Sequence, residues 1–248
     1  MMRKRVIPCL LLQDRGLVKT VKFKNSKYVG DPVNAIRIFN EKEVDELVLL
    51  DIDASRLSRD PDYELIQEVA GECFMPICYG GGVKTLAQAE KIFALGIEKI
   101  SLNTAALENI ELIRQIANKF GSQSVVCSVD CKKSLFGKYT VYSHSGTRDT
   151  KLSPVEWVQK VEAAGAGEIF LNSIDRDGTQ QGFDIQLIQS IVNAVHVPVI
   201  ACGGAGSVAD LFEPFERANV SAVAAGSFFV FHGKHKAVLI SYPDLNAR

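Results

Sequence analysis

The sequence predicts an α/β protein that closes into a (β/α)8 barrel, the TIM barrel. Short apolar runs of strand length alternate with amphipathic segments of helix length along the whole chain. This alternation favours βα units around a parallel sheet. We count eight units, and a chain of 248 residues has the usual length of one such barrel. We therefore expect residues 1–248 to form a single domain.

The predicted strands are short and apolar on both faces, as suits a parallel sheet covered on both sides. They lie at Val6–Leu12, Glu46–Asp51, Met75–Tyr79, Lys99–Leu102, Ser124–Asp130, Glu168–Asn172, Val197–Ala201 and Ser221–Ala225. The predicted helices lie at Pro32–Asn40, Asp62–Cys73, Leu86–Leu95, Ile110–Phe120, Pro154–Ala164, Ile185–Ala194, Val208–Ala218 and, with a weaker pattern, Lys234–Ile240. Asp60, Ser153 and Ser207 are predicted N-caps, the first two before a proline.

The chain repeats itself at about half its length. Val197–Gly204 (VPVIACGG) is similar to Met75–Gly82 (MPICYGGG), and Pro198 lies 122 residues after Pro76. Such an offset indicates two related halves of four units each. A two-fold half-barrel repeat favours a closed barrel over an open sheet.

Composition excludes several kinds of partner. The formal net charge is −1, from 28 basic and 29 acidic residues spread along the chain, which gives no electrostatic footprint for nucleic acid or a membrane surface. No apolar run has the length of a membrane span, and the start does not read as a signal peptide. We expect a cytoplasmic protein.

Cysteine and histidine usage predicts neither a metal site nor a cofactor. The six cysteines lie mostly in strand-like runs without a CxxC pair, so we interpret them as small buried hydrophobic residues. His232 and His235 are spaced to share a helical face, but no cysteine or carboxylate cluster lies near them in the sequence.

Two long connections follow the first and fifth strands, at Gln13–Gly30 and Cys131–Leu152. The second contains Lys138–Ser143, an alternating run that predicts one strand of a small hairpin. Loops of this length in a compact domain are usually lids or binding loops, with flexible surface as the alternative.

Asp130 ends a buried strand, and ligands of parallel sheets bind beyond the carboxyl ends of the strands. Its carboxylate is a candidate general acid or base, with a loop cap as the alternative. Lys19, on the first long connection, is a candidate for fixing a phosphate or stabilising negative charge. Asp177 follows the sixth strand, where an Asx-turn is the alternative.

Glycine pairs at strand ends predict two phosphate sites, because glycine allows close backbone approach and free N–H groups favour an anion. The candidate phosphate-binding residues are Gly81, Gly82, Asn103, Thr104, Asp177, Gly178, Gly203, Gly204, Gly226 and Ser227. Their relation by the repeat suggests a substrate with a phosphate at each end. Ordinary tight turns are the alternative.

Four charged residues come at the starts of strands, at the opposite end of the barrel: Arg5, Glu46, Lys99 and Glu168. Opposite charges at the entrance of an apolar barrel are expected to pair as a ring. On general grounds such a ring is a structural salt-bridge network.

Several segments together form a pattern that is specific for one protein family. They are Lys4–Leu10, Gly30–Pro32, Asp45–Ile52, Gly80–Gly82, Ser101–Ala105, Phe120–Gln123, Gly165–Glu168, Ser173–Thr179 and Gly203–Gly206. With them the chain resembles the cyclase (HisF-type) subunit of imidazole glycerol phosphate synthase over nearly its whole length, and only the tail after Phe231 matches poorly.

The resemblance implies a barrel that receives ammonia from a glutaminase (HisH-type) partner at its amino-terminal face. It assigns the four charged residues, Arg5, Glu46, Lys99 and Glu168, to an ammonia gate rather than to stability alone. The family's substrate is a bis-phosphorylated ribulosyl aminoimidazole carboxamide, which agrees with two phosphate sites.

The chain departs from the family at one catalytic position. Family members use two aspartates as acid and base, and Asp130 matches the second, whereas Leu11 stands at the position of the first. Leucine can neither donate nor accept a proton. The candidate catalytic residues are therefore Asp130 and Lys19.

This pattern is similar to a diverged branch associated with bacterial surface polysaccharides. There the barrel and its glutaminase supply ammonia to a third enzyme that amidates a sugar, forming an acetamidino group. We therefore expect an ammonia-delivering barrel with a phosphorylated small-molecule ligand. The alternatives are a genuine cyclase of histidine biosynthesis and a non-catalytic scaffold that activates the glutaminase.

Overall fold

The computed structural model describes residues 4–233 and 235–243. Eight parallel strands form a closed ring in which each pairs with the next, and Ala222–Ala225 closes it against Arg5–Gln13. This confirms the predicted (β/α)8 barrel. The strands are β1 (Arg5–Gln13), β2 (Gly16–Val21), β3 (Lys24–Gly30), β4 (Leu47–Asp51), β5 (Ile77–Gly80), β6 (Lys99–Leu102), β7 (Val125–Lys133), β8 (Tyr139–Ser143), β9 (Arg148–Asp149), β10 (Glu168–Ser173), β11 (Val199–Cys202), β12 (Ala222–Ala225), β13 (Phe231–His232) and β14 (Ala237–Val238).

The barrel order is β1, β4, β5, β6, β7, β10, β11, β12. The helices are α1 (Pro32–Glu41), α2 (Tyr63–Glu72), α3 (Leu86–Ala94), α4 (Thr104–Glu108), α5 (Glu111–Phe120), α6 (Pro154–Ala163), α7 (Ile185–Val192), α8 (Val208–Ala218) and α9 (Ser227–Val230). Seven predicted helices occur here with bounds that agree within two residues. None of the described helices is both long and apolar enough to cross a membrane.

Helix starts follow the expected capping chemistry, with one correction. Ser207 caps α8 in a capping box, and Ser153 precedes Pro154 at the first turn of α6, although its side chain makes no capping hydrogen bond. The predicted N-cap Asp60 is wrong. Asp62 caps α2 instead, because its carboxylate accepts the Leu65 N–H that Asp60 lies too early to reach.

The last predicted helix, Lys234–Ile240, is wrong. β13 and β14 form an antiparallel hairpin there, and Lys234 itself lies outside the described residues. Gly233 and Lys236 have φ values of +69° and +49°, which bend the chain into a turn and break a helix. The tail then returns to the barrel, where the Tyr242 hydroxyl donates a 3.0 Å hydrogen bond to the Val6 carbonyl.

Both long connections are hairpins that extend barrel strands. β2 and β3 continue from β1, whereas β8 and β9 continue from β7, which confirms the hairpin strand predicted at Lys138–Ser143. β1 and β7 lie four strands apart in the ring of eight. The two hairpins therefore stand on opposite sides of the mouth formed by the carboxyl ends of the strands.

Apolar side chains fill two regions, one between the sheet and its helices and one inside the barrel. The inner region consists of Ile7, Cys9, Val48, Cys78, Val126, Phe170, Ile200, Cys202, Ala222 and Ala224. All six cysteines are free thiols, and all are buried except Cys73, which is half-buried. Each large aliphatic side chain buried in this way contributes about 1.5–3 kcal/mol to folding.

Candidate functional site

A cavity of about 130 Å³ opens at the carboxyl ends of the barrel strands, which is room for several water-sized molecules. It lies where (β/α)8 barrels carry their active sites. Most of the sequence-predicted residues meet in its wall: Leu11, Lys19, Gly81, Gly82, Asn103, Thr104, Asp130, Asp177, Gly226 and Ser227. Gly178, Gly203 and Gly204 do not line it.

Asp130 projects into the cavity from β7 and is only 8% exposed. Its Oδ2 accepts a 3.2 Å hydrogen bond from the Asn103 side-chain amide, which also donates to the Ser128 carbonyl. Burial, assisted by the charge of Asp177, raises the pKa of Asp130 to about 7. A carboxyl group with this pKa can donate or accept a proton at neutral pH.

Leu11 forms part of the same wall from β1 and packs on the apolar interior of the barrel. Its side chain is aliphatic, so it contributes no proton donor or acceptor. Asp51 also lines the cavity, but its Oδ1 is occupied by the N–H groups of Asp53 and Ala54, each at 3.0 Å. Burial raises the pKa of Asp51 as well.

Lys19 reaches into the barrel from β2 and is 4% exposed. Its ammonium group donates a 2.6 Å hydrogen bond to the Cys9 carbonyl, and burial lowers the pKa of Lys19. A Cβ on Gly226 would lie 2.5 Å from the Lys19 Nζ atom. Gly226 therefore has to be glycine for the lysine to occupy this position.

Asp177 holds the β2–β3 hairpin against the mouth. Its Oδ2 accepts a 2.9 Å hydrogen bond from the Thr20 hydroxyl, and its main-chain carbonyl accepts one of 2.9 Å from the Lys22 N–H. The carboxylate thus bonds to the hairpin, not to its own loop as an Asx-turn would. Gly178 is close-packed here, because a Cβ would lie 2.1 Å from the Thr20 carbonyl oxygen.

The two predicted phosphate sites differ in which of their glycines face the cavity. Gly81 and Gly82 have φ values of +129° and +73° and face the cavity beside Asn103 and Thr104. At the second site only Gly226 and Ser227 reach the cavity. A Cβ on Gly204 would lie 2.1 Å from the Gly182 carbonyl oxygen, so this glycine serves packing between two loops.

The wall also contains residues that the sequence did not single out as functional, namely Cys9, Ser101, Ser128 and Cys202. They are inward-facing members of strands, and strict alternation along each strand could have found them. Asn172 at the end of β10 is 7% exposed, and its Oδ1 has no hydrogen-bond partner among the described residues.

The four charged residues at the strand starts form a closed ring, as predicted. Arg5 donates to Glu46 at 2.6 Å and also to Glu168, and Lys99 donates to Glu46 at 2.8 Å and to Glu168 at 3.0 Å. Burial acts to lower the pKa of Arg5 and Lys99, but the two carboxylates outweigh it and raise both pKa values. The two positive and two negative charges balance.

The apolar interior separates this ring from the cavity. Ile7 and Cys9 follow Arg5 on the inner face of β1 before Leu11, and Phe170 lies between Glu168 and Asn172 on β10. The barrel axis therefore carries a balanced charge ring, an apolar section and a polar cavity, in that order.

Comparison with known proteins agrees with this architecture. Residues 5–236 match the family model described as histidine biosynthesis protein. A Pseudomonas aeruginosa protein provisionally named imidazole glycerol phosphate synthase subunit hisF2 is 74% identical, covering 99% of this chain and 98% of its own. A Vibrio vulnificus protein provisionally named subunit hisF3 is 52% identical, covering 98% of this chain and 94% of its own.

A relative from Chlorobaculum tepidum, named imidazole glycerol phosphate synthase subunit HisF, is 45% identical and covers 93% of this chain and 92% of its own. Fold and cavity together define a (β/α)8 barrel with a polar cavity at the carboxyl ends of its strands. The chain belongs to the family of HisF-type imidazole glycerol phosphate synthase subunits.

Proposed function

We propose that this barrel receives ammonia from a glutaminase (HisH-type) subunit docked at its amino-terminal face and passes it to the cavity. One observation supports this proposal most directly, namely the order of three regions along the barrel axis. The ring of Arg5, Glu46, Lys99 and Glu168 comes first, an apolar section follows, and the cavity lies beyond it. Neutral ammonia crosses an apolar section at low cost, whereas an ammonium ion would lose its hydration.

At the cavity we propose that ammonia is delivered onward to a third enzyme, for amidation of a nucleotide-linked sugar in surface-polysaccharide biosynthesis. Two features support this reading. Leu11 leaves the cavity without the first of the two catalytic carboxylates that family cyclases use, and the sequence resembles the branch that forms acetamidino groups. Asp130 alone cannot act as acid and base at two separated positions.

A genuine cyclase activity is the second candidate. The Gly81–Gly82 turn and Lys19 face the cavity and suit a phosphorylated ligand, and the Chlorobaculum tepidum relative is named as a synthase subunit. On this reading Asp130, Lys19 and substrate groups convert the bis-phosphorylated substrate and ammonia into imidazole glycerol phosphate.

The discriminating experiment supplies the purified barrel with the bis-phosphorylated substrate and excess ammonium chloride, with the Chlorobaculum tepidum subunit as positive control. We expect no imidazole glycerol phosphate from this chain. Ready formation of that product would overturn the delivery proposal in favour of the cyclase.

A second experiment separates delivery from a scaffold role. The complex of barrel, glutaminase and third enzyme receives amide-¹⁵N glutamine, and the label in the amidated sugar is measured. We expect Lys99→Glu to abolish labelling while the complex still forms, and Lys119→Glu on the outer surface to preserve it. Intact labelling with Lys99→Glu would favour a scaffold that only activates the glutaminase.

A further inference from the structure

The side chain of Asn172 is an exception among the buried polar groups of the barrel. Its carboxamide makes no hydrogen bond with any described residue, and its Oδ1 is wholly buried without a partner. Leaving a buried acceptor unpaired costs free energy that a hydrogen-bonding ligand would recover. An unpaired group of this kind in a cavity wall points to a ligand.

Asn172 lies directly beside Asp130. The two residues are register partners on the neighbouring parallel strands β10 and β7, and both line the cavity. The protein hydrogen bond to the Asp130 carboxylate comes from Asn103 and goes to Oδ2, which leaves Oδ1 for a ligand. In the structure Oδ1 is buried close to Gly203, which does not line the cavity. Because oxygen and nitrogen are nearly equal in size, the carboxamide can turn so that its oxygen faces the cavity instead.

With the carboxamide turned in this way, the pair offers two side-chain oxygens at the inner end of the cavity, next to the apolar section of the barrel. Ammonia has three N–H donors and one lone pair. An ionised carboxylate and an amide oxygen only accept hydrogen bonds, so they would bind ammonia through its N–H groups and leave the lone pair, which is the nucleophile, without a competing proton.

We propose that Asn172 and Asp130 together hold one molecule of neutral ammonia where it leaves the apolar interior, with its lone pair free to react. This inference rests on the proposed function for the source of the ammonia, and it names the residues that bind it. Asn172 is then a ligand-binding residue, and Asp130 binds as well as titrates.

The test is an NMR titration of the purified barrel with ammonia, at a pH above the pKa of ammonium. The observed signals are the Asn172 side-chain amide and the Asp130 carboxyl carbon. Both should shift in a saturable way with ammonia and not with trimethylamine, which has a lone pair but no N–H group. Absence of a saturable shift in the wild-type barrel would overturn the proposal.

Two variants test whether Asn172 is the residue that binds ammonia. Asn172→Leu keeps a side chain of similar size without an acceptor, and it should weaken binding, read from the Asp130 signal, by about tenfold. Trp157→Phe is the matched control, because Trp157 Nε1 is the other buried unpaired polar atom of the described chain and Trp157 does not line the cavity. Equal affinity in wild type and Asn172→Leu would contradict the assignment.

Because the ammonia is added from solution, the two proposals can fail separately. A barrel that binds ammonia through Asn172 but receives none from a glutaminase contradicts the proposed function only. A barrel that passes labelled nitrogen to product without saturable ammonia binding contradicts this inference only.

Discussion

The ammonium group of Lys19 donates a 2.6 Å hydrogen bond to the main-chain carbonyl of Cys9. The cation thus enters the barrel from the β2–β3 hairpin, which is itself held by Asp177. The position of Lys19 therefore depends on how tightly this hairpin docks on the loop that follows β10.

Gly178→Ala should undock the hairpin. The new methyl group would lie 2.1 Å from the Thr20 carbonyl oxygen, and Gly178 has a φ of +67°, so we expect a loss of about 3 kcal/mol in the free energy of unfolding. Gly182→Ala is the matched control, because Gly182 has a φ of +81° with no atom within 4 Å of the new methyl group. It should cost about 1 kcal/mol.

Urea unfolding measures both glycine variants, and trypsin cleavage after Lys22 and Lys24 reports hairpin docking. Faster cleavage should occur in Gly178→Ala only. Similar cleavage rates in the two variants would show that the close approach to Thr20 does not hold the hairpin.

Lys99→Met should destabilise the barrel by about 3 kcal/mol, because Glu46 and Glu168 then keep their charges with Arg5 alone to balance them. Lys119→Met removes a cation from an exposed pair with Glu90 and should cost less than about 1 kcal/mol. Chemical denaturation at neutral pH compares them. Equal costs would mean that the ring is as weakly coupled as a surface ion pair.

Asp130 should make the barrel less stable as pH rises. The pKa of Asp130 in the folded chain is raised to about 7 from an ordinary value of 3.8, so between these values the folded state binds more protons than the unfolded state. Stability contributed by the protonated carboxyl is present at low pH and is lost as pH approaches 7, by about 4 kcal/mol in total.

Asp130→Asn removes this titration while preserving the shape of the side chain. Unfolding free energies of the wild type and the variant, measured from pH 4 to pH 8, should converge at the acid end, with the variant more stable at the neutral end. A difference that is constant across the range would contradict the raised pKa of Asp130.

Leu11→Asp places a carboxylate at the position of the first family aspartate, in a cavity wall that already contains Asp51, Asp130 and Asp177. If Asp130, Lys19 and the Gly81–Gly82 turn still bind the family substrate, the variant should form imidazole glycerol phosphate at a rate at least about 100-fold above the wild-type background. Leu11→Asn is the control for polarity without a proton donor. No gain over Leu11→Asn would mean that the cavity has lost the cyclase substrate as well as the acid.

The sequence predicted the barrel because each strand is a compact apolar run and each helix has a clear period. It failed at Lys234–Ile240, where three basic residues and then the apolar run Ala237–Ile240 follow Gly233, and no amphipathic period decides between helix and strand. It also misplaced the cap of α2, because two aspartates, Asp60 and Asp62, both precede the helix.

The sequence predicted the position of Asp130 at the cavity and the pairing of Arg5, Glu46, Lys99 and Glu168, because these residues lie at strand ends. Glycines were less informative. Gly81 faces the cavity, whereas Gly178 and Gly204 are glycines because the backbone of another loop approaches them closely. The sequence alone does not distinguish these two reasons for a glycine. That Asn172 is unpaired depends on every neighbour in the fold, so no local pattern predicts it.

A closed barrel has no free strand edge, yet the hairpin on β1 restores one at the mouth. β3 pairs with β2, and the described residues provide no strand on its other side. Lys24 and Lys27 stand exposed along this strand. Charged lysines on an open edge oppose pairing with a strand of another molecule. The basic hairpin should therefore also protect the chain against edge-to-edge aggregation.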